Sequence, residues 1–205
     1  MATPHQFVYL ASQSPRRAQL LDQLGVRHRP LLPDAGEDTE ALEEERSGEL
    51  PLAYVQRVTR LKLEEARRRL RRRRLPPAPI LCADTTVAVG TRILGKPEDP
   101  AHAVQMLRAL SGRSHRVMTC VAVLAGTQVF IETSHSRVRF ADLSETTIRR
   151  YVDSGEPMGK AGAYAIQGRI AAWISHIEGS HSGIMGLPLH ETTTLLTRAR
   201  VQLEL

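Results

Sequence analysis

The chain is poor in aromatic residues, with one tryptophan, three phenylalanines and four tyrosines among 205 residues. It has two cysteines, Cys82 and Cys120, and neither belongs to a Cys-x-x-Cys pair, so zinc-ribbon and thioredoxin-type chemistry have no support. Each lies in an apolar, strand-like run and reads as a reduced, buried thiol. No hydrophobic run approaches transmembrane length, and no basic segment followed by an apolar stretch opens the chain. A cytoplasmic protein with no membrane association is expected. Neither a Walker A sequence nor G-x-G-x-x-G occurs, which argues against kinase, GTPase and dinucleotide-binding readings. His190-Glu191 begins like a zinc-protease motif, but position 194 is not histidine.

The net charge of +6 is local. Arg67, Arg68, Arg69, Arg71, Arg72, Arg73 and Arg74 supply seven positive charges at one predicted helix end, and +6 less those seven leaves −1. No aromatic residues interleave with them, so a solvated helix end is expected rather than a nucleic-acid contact.

What the chain does contain is an alternation of strand-like and helix-like segments, which predicts an α/β fold over residues 1–205 as a single domain, with room for two closely packed lobes. Phe7–Leu10 reads as a strand. Ser14 stands at an N-cap position and Pro15 at the first turn of a helix that Gly25 ends. Arg16 and Arg17 fall in that first turn, where the helix dipole disfavours cations unless an anion is bound there. Strand, polar loop, free N–H groups and two arginines describe a phosphate cradle. Arg29–Asp38 reads as a strand running into a polar turn whose Glu37 and Asp38 are either loop solubilisers or metal ligands. Ser47-Gly48-Glu49 is expected to open a long helix to Leu70. Lys62 falls at the centre of its apolar face, seven residues after Val55 and four after Val58.

Ile80–Val89 is strongly strand-like yet interrupted by Asp84, a carboxylate that is costly there unless paired, metal-bound or at an exposed end. Lys96-Pro97 follows a predicted hairpin, and Asp99 caps a helix from Pro100 to Leu110. Val117–Leu124 and Val129–Phe140 read as antiparallel strands, and Ser144 caps a helix ending near Gly155. A glycine-bounded loop follows, with Lys160 and Gln167 as its polar reach. Ala171–Ile177 reads as a strand, and Gly186-Leu187-Pro188-Leu189 introduces the last helix. Cations at 16, 17, 62, 96 and 160, set against carboxylates at 37 and 84, suit a polyphosphate bound with a divalent metal.

These residues resemble one family closely. Leu10-Ala11-Ser12-Gln13-Ser14-Pro15-Arg16-Arg17, Ala83-Asp84-Thr85, Gly95-Lys96-Pro97, Leu110-Ser111-Gly112, Lys160-Ala161-Gly162-Ala163-Tyr164 and Gly186-Leu187-Pro188-Leu189 look like the Maf family, in its order and across nearly the whole chain. The resemblance implies an elongated, two-lobed α/β fold related to inosine triphosphatases, with a mixed central sheet flanked by helices. It also implies a house-cleaning nucleoside triphosphate pyrophosphatase, often dimeric, that cleaves between the α- and β-phosphates with Mg2+ or Mn2+. By the same resemblance Asp84 is the proton acceptor, Ser12, Arg16, Arg17, Lys62 and Lys96 bind phosphates, and Glu37 joins Asp84 as a metal ligand.

The family has a dTTP/UTP branch and a 7-methyl-GTP branch. The latter carries tryptophan after Ser-Pro, glutamine after the aspartate and glutamate in the late loop, whereas this chain has Arg16, Thr85 and Gln167. A cationic methylated purine favours an aromatic face and a negative partner. A glutamine amide complements a neutral pyrimidine imide instead. The three residues therefore imply the pyrimidine branch. One departure is His181, where the family usually has an aromatic residue after Gly-Ser. The alternative readings are a 7-methyl-GTP pyrophosphatase, or a nucleotide-binding regulator of septum formation.

Overall fold

In β3, Ile80–Val89, odd and even positions point to opposite faces, and both faces carry apolar residues. A strand of that pattern must be covered twice. The computed structural model, which describes residues 4–204, does this with a seven-stranded sheet between helices. The strands are β1 (Val8–Leu10), β2 (His28–Pro30), β3, β4 (Arg92–Leu94), β5 (Ser114–Ala125), β6 (Gln128–Phe140) and β7 (Ile174–Glu178). The helices are α1 (Pro15–Gln23), α2 (Pro51–Arg72), α3 (Pro100–Leu110), α4 (Glu145–Asp153), α5 (His181–Met185) and α6 (Leu189–Arg198). The sheet order is β2-β1-β3-β5-β6-β7, with β4 paired to β3. β1 is parallel to β2 and β3, and the remaining pairs are antiparallel, so the sheet is mixed.

Helices α1 and α6 pack Leu20, Leu21, Leu195 and Leu196 on one face, against Leu81, Ala83, Val121 and Val123. Helix α2 packs Leu63 and Ala66 on the other, against Ile80, Cys82, Ala122 and Leu124. Beyond them a further core gathers α3, α4 and the sheet's far end around Leu94, Leu107, Val138, Phe140 and Ile148. The two lobes thus share one sheet.

β3 is where they meet. On one edge it is paired continuously to β5, from Ile80 opposite Leu124 to Ala88 opposite Arg116. On the other edge β1 pairs only as far as Leu81, and β4 joins only at Val87. Ala83-Asp84-Thr85-Thr86 lies in the gap between them. The fork opens the sheet around Asp84.

Local signals in the sequence match the structure at several caps. Ser14 precedes Pro15 at the start of α1, though its hydroxyl makes no capping bond. The Asp99 carboxylate accepts from the His102 N–H at 2.7 Å, and the Ser144 hydroxyl accepts from the Thr147 N–H at 3.1 Å. Three expectations are corrected. Helix α2 begins at Pro51 rather than at Ser47, because Gly48 has φ +73° and closes a turn. Residues 171–173 belong to a 3-10 turn, Arg169–Trp173, and the strand starts only at Ile174. The arginine run is not simply solvated. Arg69 is buried, donating to the Leu31 carbonyl at 2.8 Å and to the Glu37 carboxylate, while Arg72 and Arg73 pair with Asp34 and Arg72 also reaches Glu37. Cys82 and Cys120 are free and buried. Among the described residues, no helix is long and apolar enough to cross a membrane.

Candidate active site

The alternation along β3 sends Asp84 and Thr85 to opposite faces. Asp84 shares the face of Ile80 and Cys82, towards α2, and Thr85 that of Leu81 and Ala83, towards α1. Two constellations result.

On the α2 face, Lys62 follows Val55 and Val58 inward, as its spacing predicts. Its ammonium donates to Asp84 Oδ1 at 2.5 Å and to Glu43 Oε1 at 2.7 Å. The other oxygen of Glu43 accepts from Lys96 at 2.7 Å. Burial pulls the Lys62 pKa down, but the charges and hydrogen bonds of Asp84 and Glu43 outweigh it, so the net shift is upward and the ammonium stays charged. Burial likewise pushes the Glu43 carboxyl up, and Lys62 and Lys96 more than reverse it. No described residue donates a hydrogen bond to Asp84 Oδ2. That oxygen is left to accept from something in the cleft.

On the other face stand the two arginines of the first turn of α1. Arg17 Nε donates to the Gly186 carbonyl at 2.8 Å and Nη1 to the Ser12 hydroxyl at 3.0 Å, while Arg16 Nε reaches the Met185 carbonyl at 3.3 Å. These carbonyls terminate α5, so the cations that α1 disfavours are met by the partial negative end of another helix. Burial lowers the Arg17 pKa, with Asp84 acting against it. Gly186 has φ +121°, a conformation that glycine supplies without steric cost, and it aims its carbonyl at Arg17.

A hydroxyl chain fixes the far end of Arg17. The Gly183 carbonyl can only accept, so Thr119 donates to it at 2.7 Å, Thr85 donates to Thr119 at 3.0 Å, and Arg17 Nη2 points at the Thr85 oxygen at 3.5 Å. Thr119 stands directly opposite Thr85 in the β3–β5 register.

Both faces open into one cavity of about 580 Å³, lined among others by Ser12, Arg16, Arg17, Lys62, Asp84 and Thr85. Lys96, Lys160, Glu43 and Tyr164 line it as well. The Lys160 ammonium is held by the carbonyls of Glu156 and Met158. Gly162, at φ +70°, lets its loop lie against β3, where a Cβ would fall 2.9 Å from Val87 Cγ1. Its N–H donates to the Gly95 carbonyl at 3.0 Å, joining this loop to the one that carries Lys96.

Two predicted residues are not brought to this cluster. Both oxygens of Glu37 are taken by Arg69 and Arg72, which hold it off the cavity lining, and a hydrogen bond from Arg69 brings its carboxyl down to about 2 against the opposing effect of burial. Gln167 is exposed and outside the cavity lining, with Tyr164 and Lys160 standing there instead. Glu43 and Thr119 had no signal in the sequence. Glu43 lies in an acidic loop without periodicity, and Thr119 is one threonine among strand residues. Register opposite Thr85 would have marked Thr119, had the pairing been known.

Among the described residues, no group of three or more His, Cys, Asp and Glu side chains is placed to hold a metal ion. The donor set fits another mode. Magnesium takes one or two carboxylates and completes its shell with phosphate oxygens and water, and Asp84 faces a cavity lined with cations suited to phosphate.

The family model described as Maf-like protein matches residues 7–199. Among curated relatives, the chain is 62% identical to the dTTP/UTP pyrophosphatase of Polaromonas sp. (strain JS666 / ATCC BAA-500), over 96% of this chain and 98% of that one. It is 59% identical to the dTTP/UTP pyrophosphatase of Albidiferax ferrireducens, over 93% of this chain and 96% of the relative. Identity to the dTTP/UTP pyrophosphatase of Cupriavidus pinatubonensis is also 59%, over 97% and 99% of the two chains.

Proposed function

The chain belongs to the Maf-like protein family, and from that premise and the cleft around Asp84 we propose that it is a nucleoside triphosphate pyrophosphatase acting on dTTP and UTP. Water attacks in line at one of the two phosphorus atoms that flank the α,β-bridging oxygen. A new P–O bond forms as the bridge breaks, and the products are a nucleoside monophosphate, pyrophosphate and a proton. Asp84 accepts that proton at Oδ2, while Lys62 holds Oδ1 and fixes the plane of the carboxylate. Arg16, Arg17, Lys62 and Lys96 bind the phosphate oxygens and stabilise the charge that develops on the transferring group. Ser12, donated to by Arg17, sets the position of that guanidinium.

A divalent cation, Mg2+ or Mn2+, would be held by Asp84 together with phosphate oxygens, and when bound would supply further neutralisation of phosphate charge. Glu37 would have to leave Arg69 and Arg72 to take part.

The observation that carries this reading is Asp84 in the fork of β3, with Lys62 on one of its oxygens and the rest of the cations across the same cavity. Arg16 and Thr85 stand at the cavity wall where the 7-methyl-GTP branch has tryptophan and glutamine, and they support the pyrimidine preference. A cytoplasmic homodimer belongs to the same proposal, and light scattering of the purified protein reads its assembly. The test of substrate is a phosphate-release panel with Mg2+ and added inorganic pyrophosphatase. Activity on dTTP and UTP well above ATP, GTP and 7-methyl-GTP is expected, and a flat profile would remove the base preference.

A further inference from the structure

Glu43 is in an unusual position for a loop carboxylate. It lies in the cavity wall and is three-quarters buried by side chain, with its two oxygens shared between two ammonium groups: Oε1 with Lys62 and Oε2 with Lys96, each at 2.7 Å. Two oxygens carrying negative charge between two lysines is also the arrangement that a phosphate group makes with the same pair. We propose that Glu43 is a built-in stand-in for a substrate phosphate: in the free protein its carboxylate occupies the seat between Lys62 and Lys96, and a polyphosphate must displace it to bind. The proposal rests on the reading of Lys62 and Lys96 as phosphate ligands.

Three observations carry it. The backbone of Glu43 is fixed independently of its side chain. The Tyr54 hydroxyl donates to the Glu43 carbonyl at 2.8 Å, and Arg57 donates to the Glu44 carbonyl at 2.8 Å and to the Glu49 carboxylate. Displacement therefore needs rotation of one side chain and no movement of the loop. The seat is also reachable, because Lys96 is half exposed. Finally, Lys62 keeps Asp84 as a partner when Glu43 leaves, so no buried ammonium is stranded.

The consequence is selectivity by charge. One carboxylate carries a single negative charge, so a triphosphate or pyrophosphate competes with it far better than a nucleoside monophosphate does. Glu43 then raises the concentration of polyphosphate needed for binding and favours departure of the monophosphate product.

The test uses methylenediphosphonate, which has no base and no cleavable bridge, titrated calorimetrically into the full-length protein with EDTA present. Glu43→Gln keeps the shape and removes the charge, and it should bind the probe about three- to tenfold more tightly than wild type, the effect of losing two partly exposed charge-assisted contacts. Glu43→Asp, one methylene shorter and unable to span both lysines, should fall between the two and serves if Glu43→Gln fails to fold. An unchanged dissociation constant in these variants overturns the proposal. Weaker binding also overturns it, by marking Glu43 as a residue that positions the lysines. A Lys96→Gln variant that binds the probe as wild type does removes the premise and the proposal with it. None of these outcomes depends on which nucleotide is cleaved, so the substrate panel stands or falls separately.

Discussion

The clearest physical logic at the scale of single residues is the division of labour between Asp84 and its neighbour. One step along β3 turns the side chain from the Lys62 face to the Arg17 face, so two adjacent residues serve opposite walls of one cavity. The Thr85–Thr119–Gly183 chain gives a sharp expectation on the second wall. Thr119→Val keeps the shape of the strand residue but leaves the buried Gly183 carbonyl without this donor, at a cost of about 1 kcal/mol in stability. It should also raise the KM for UTP, because Arg17 loses its distal restraint, and a melting curve with steady-state kinetics reads both. Glu37 carries a pH prediction. Hydrogen bonds from Arg69 and Arg72 hold its carboxyl at about 2, below the ordinary 4.5. The stability it contributes is therefore complete above about pH 4.5 and is lost as pH falls towards 2. Acid denaturation of wild type followed by circular dichroism should be steeper across that window than that of Glu37→Gln. Identical profiles would show that the ion pair contributes nothing.

Single elements explain what the sequence disclosed and what it withheld. Lys62 was legible because a helix repeats every 3.6 residues, so a lysine in register with Val55 and Val58 has to be buried or to reach a partner. Asp84 was legible because a strand with both faces covered leaves no solvent for a carboxylate. Asp99 and Ser144 were legible because capping is local chemistry between residues three apart. Arg69 was legible only by half, since it falls on the face of Lys62, seven residues on, but the groups that receive its guanidinium are remote in sequence. Only the path of the loop after β2 turns it into a buried strut for Glu37 and Leu31. Arg69→Ala should accordingly cost roughly 3 kcal/mol, within the range for breaking one side of a buried pair, whereas Arg68→Ala, exposed and paired only with Glu65 one turn away, should cost less than about 0.5 kcal/mol. Equal effects in chemical denaturation would restore the solvated helix end. The loop after α4 offers a backbone test. Gly162→Ala combines a left-handed φ with a clash against Val87 and should lower stability by at least about 1 kcal/mol, with loss of activity as the Lys96 and Lys160 loops part.

In the whole molecule the site exists because a sheet is incompletely paired. β1 and β4 share one edge of β3 without meeting, the helices of the two lobes cover the sheet on either side, and the unpaired residues between become the floor of the cavity. The α/β class and most of the cation set follow from alternation and spacing, and the mixed sheet only from the family resemblance, but the fork is a property of strand order, which no local pattern records. The same holds for Glu43, which enters the site only because Tyr54 and Arg57 of α2 pin its loop across the opening. The central claim is that Asp84, in that fork, accepts the proton from water as the α,β-bridge breaks. The most direct measurement is a time course of UTP hydrolysis with Mg2+, resolved by anion-exchange chromatography, for wild type and Asp84→Asn at matched fold content. UMP and pyrophosphate as the sole wild-type products, with turnover in the variant reduced about a hundredfold or more, is the predicted result. UDP and orthophosphate as products, or an Asp84→Asn variant that turns over like wild type, would contradict it.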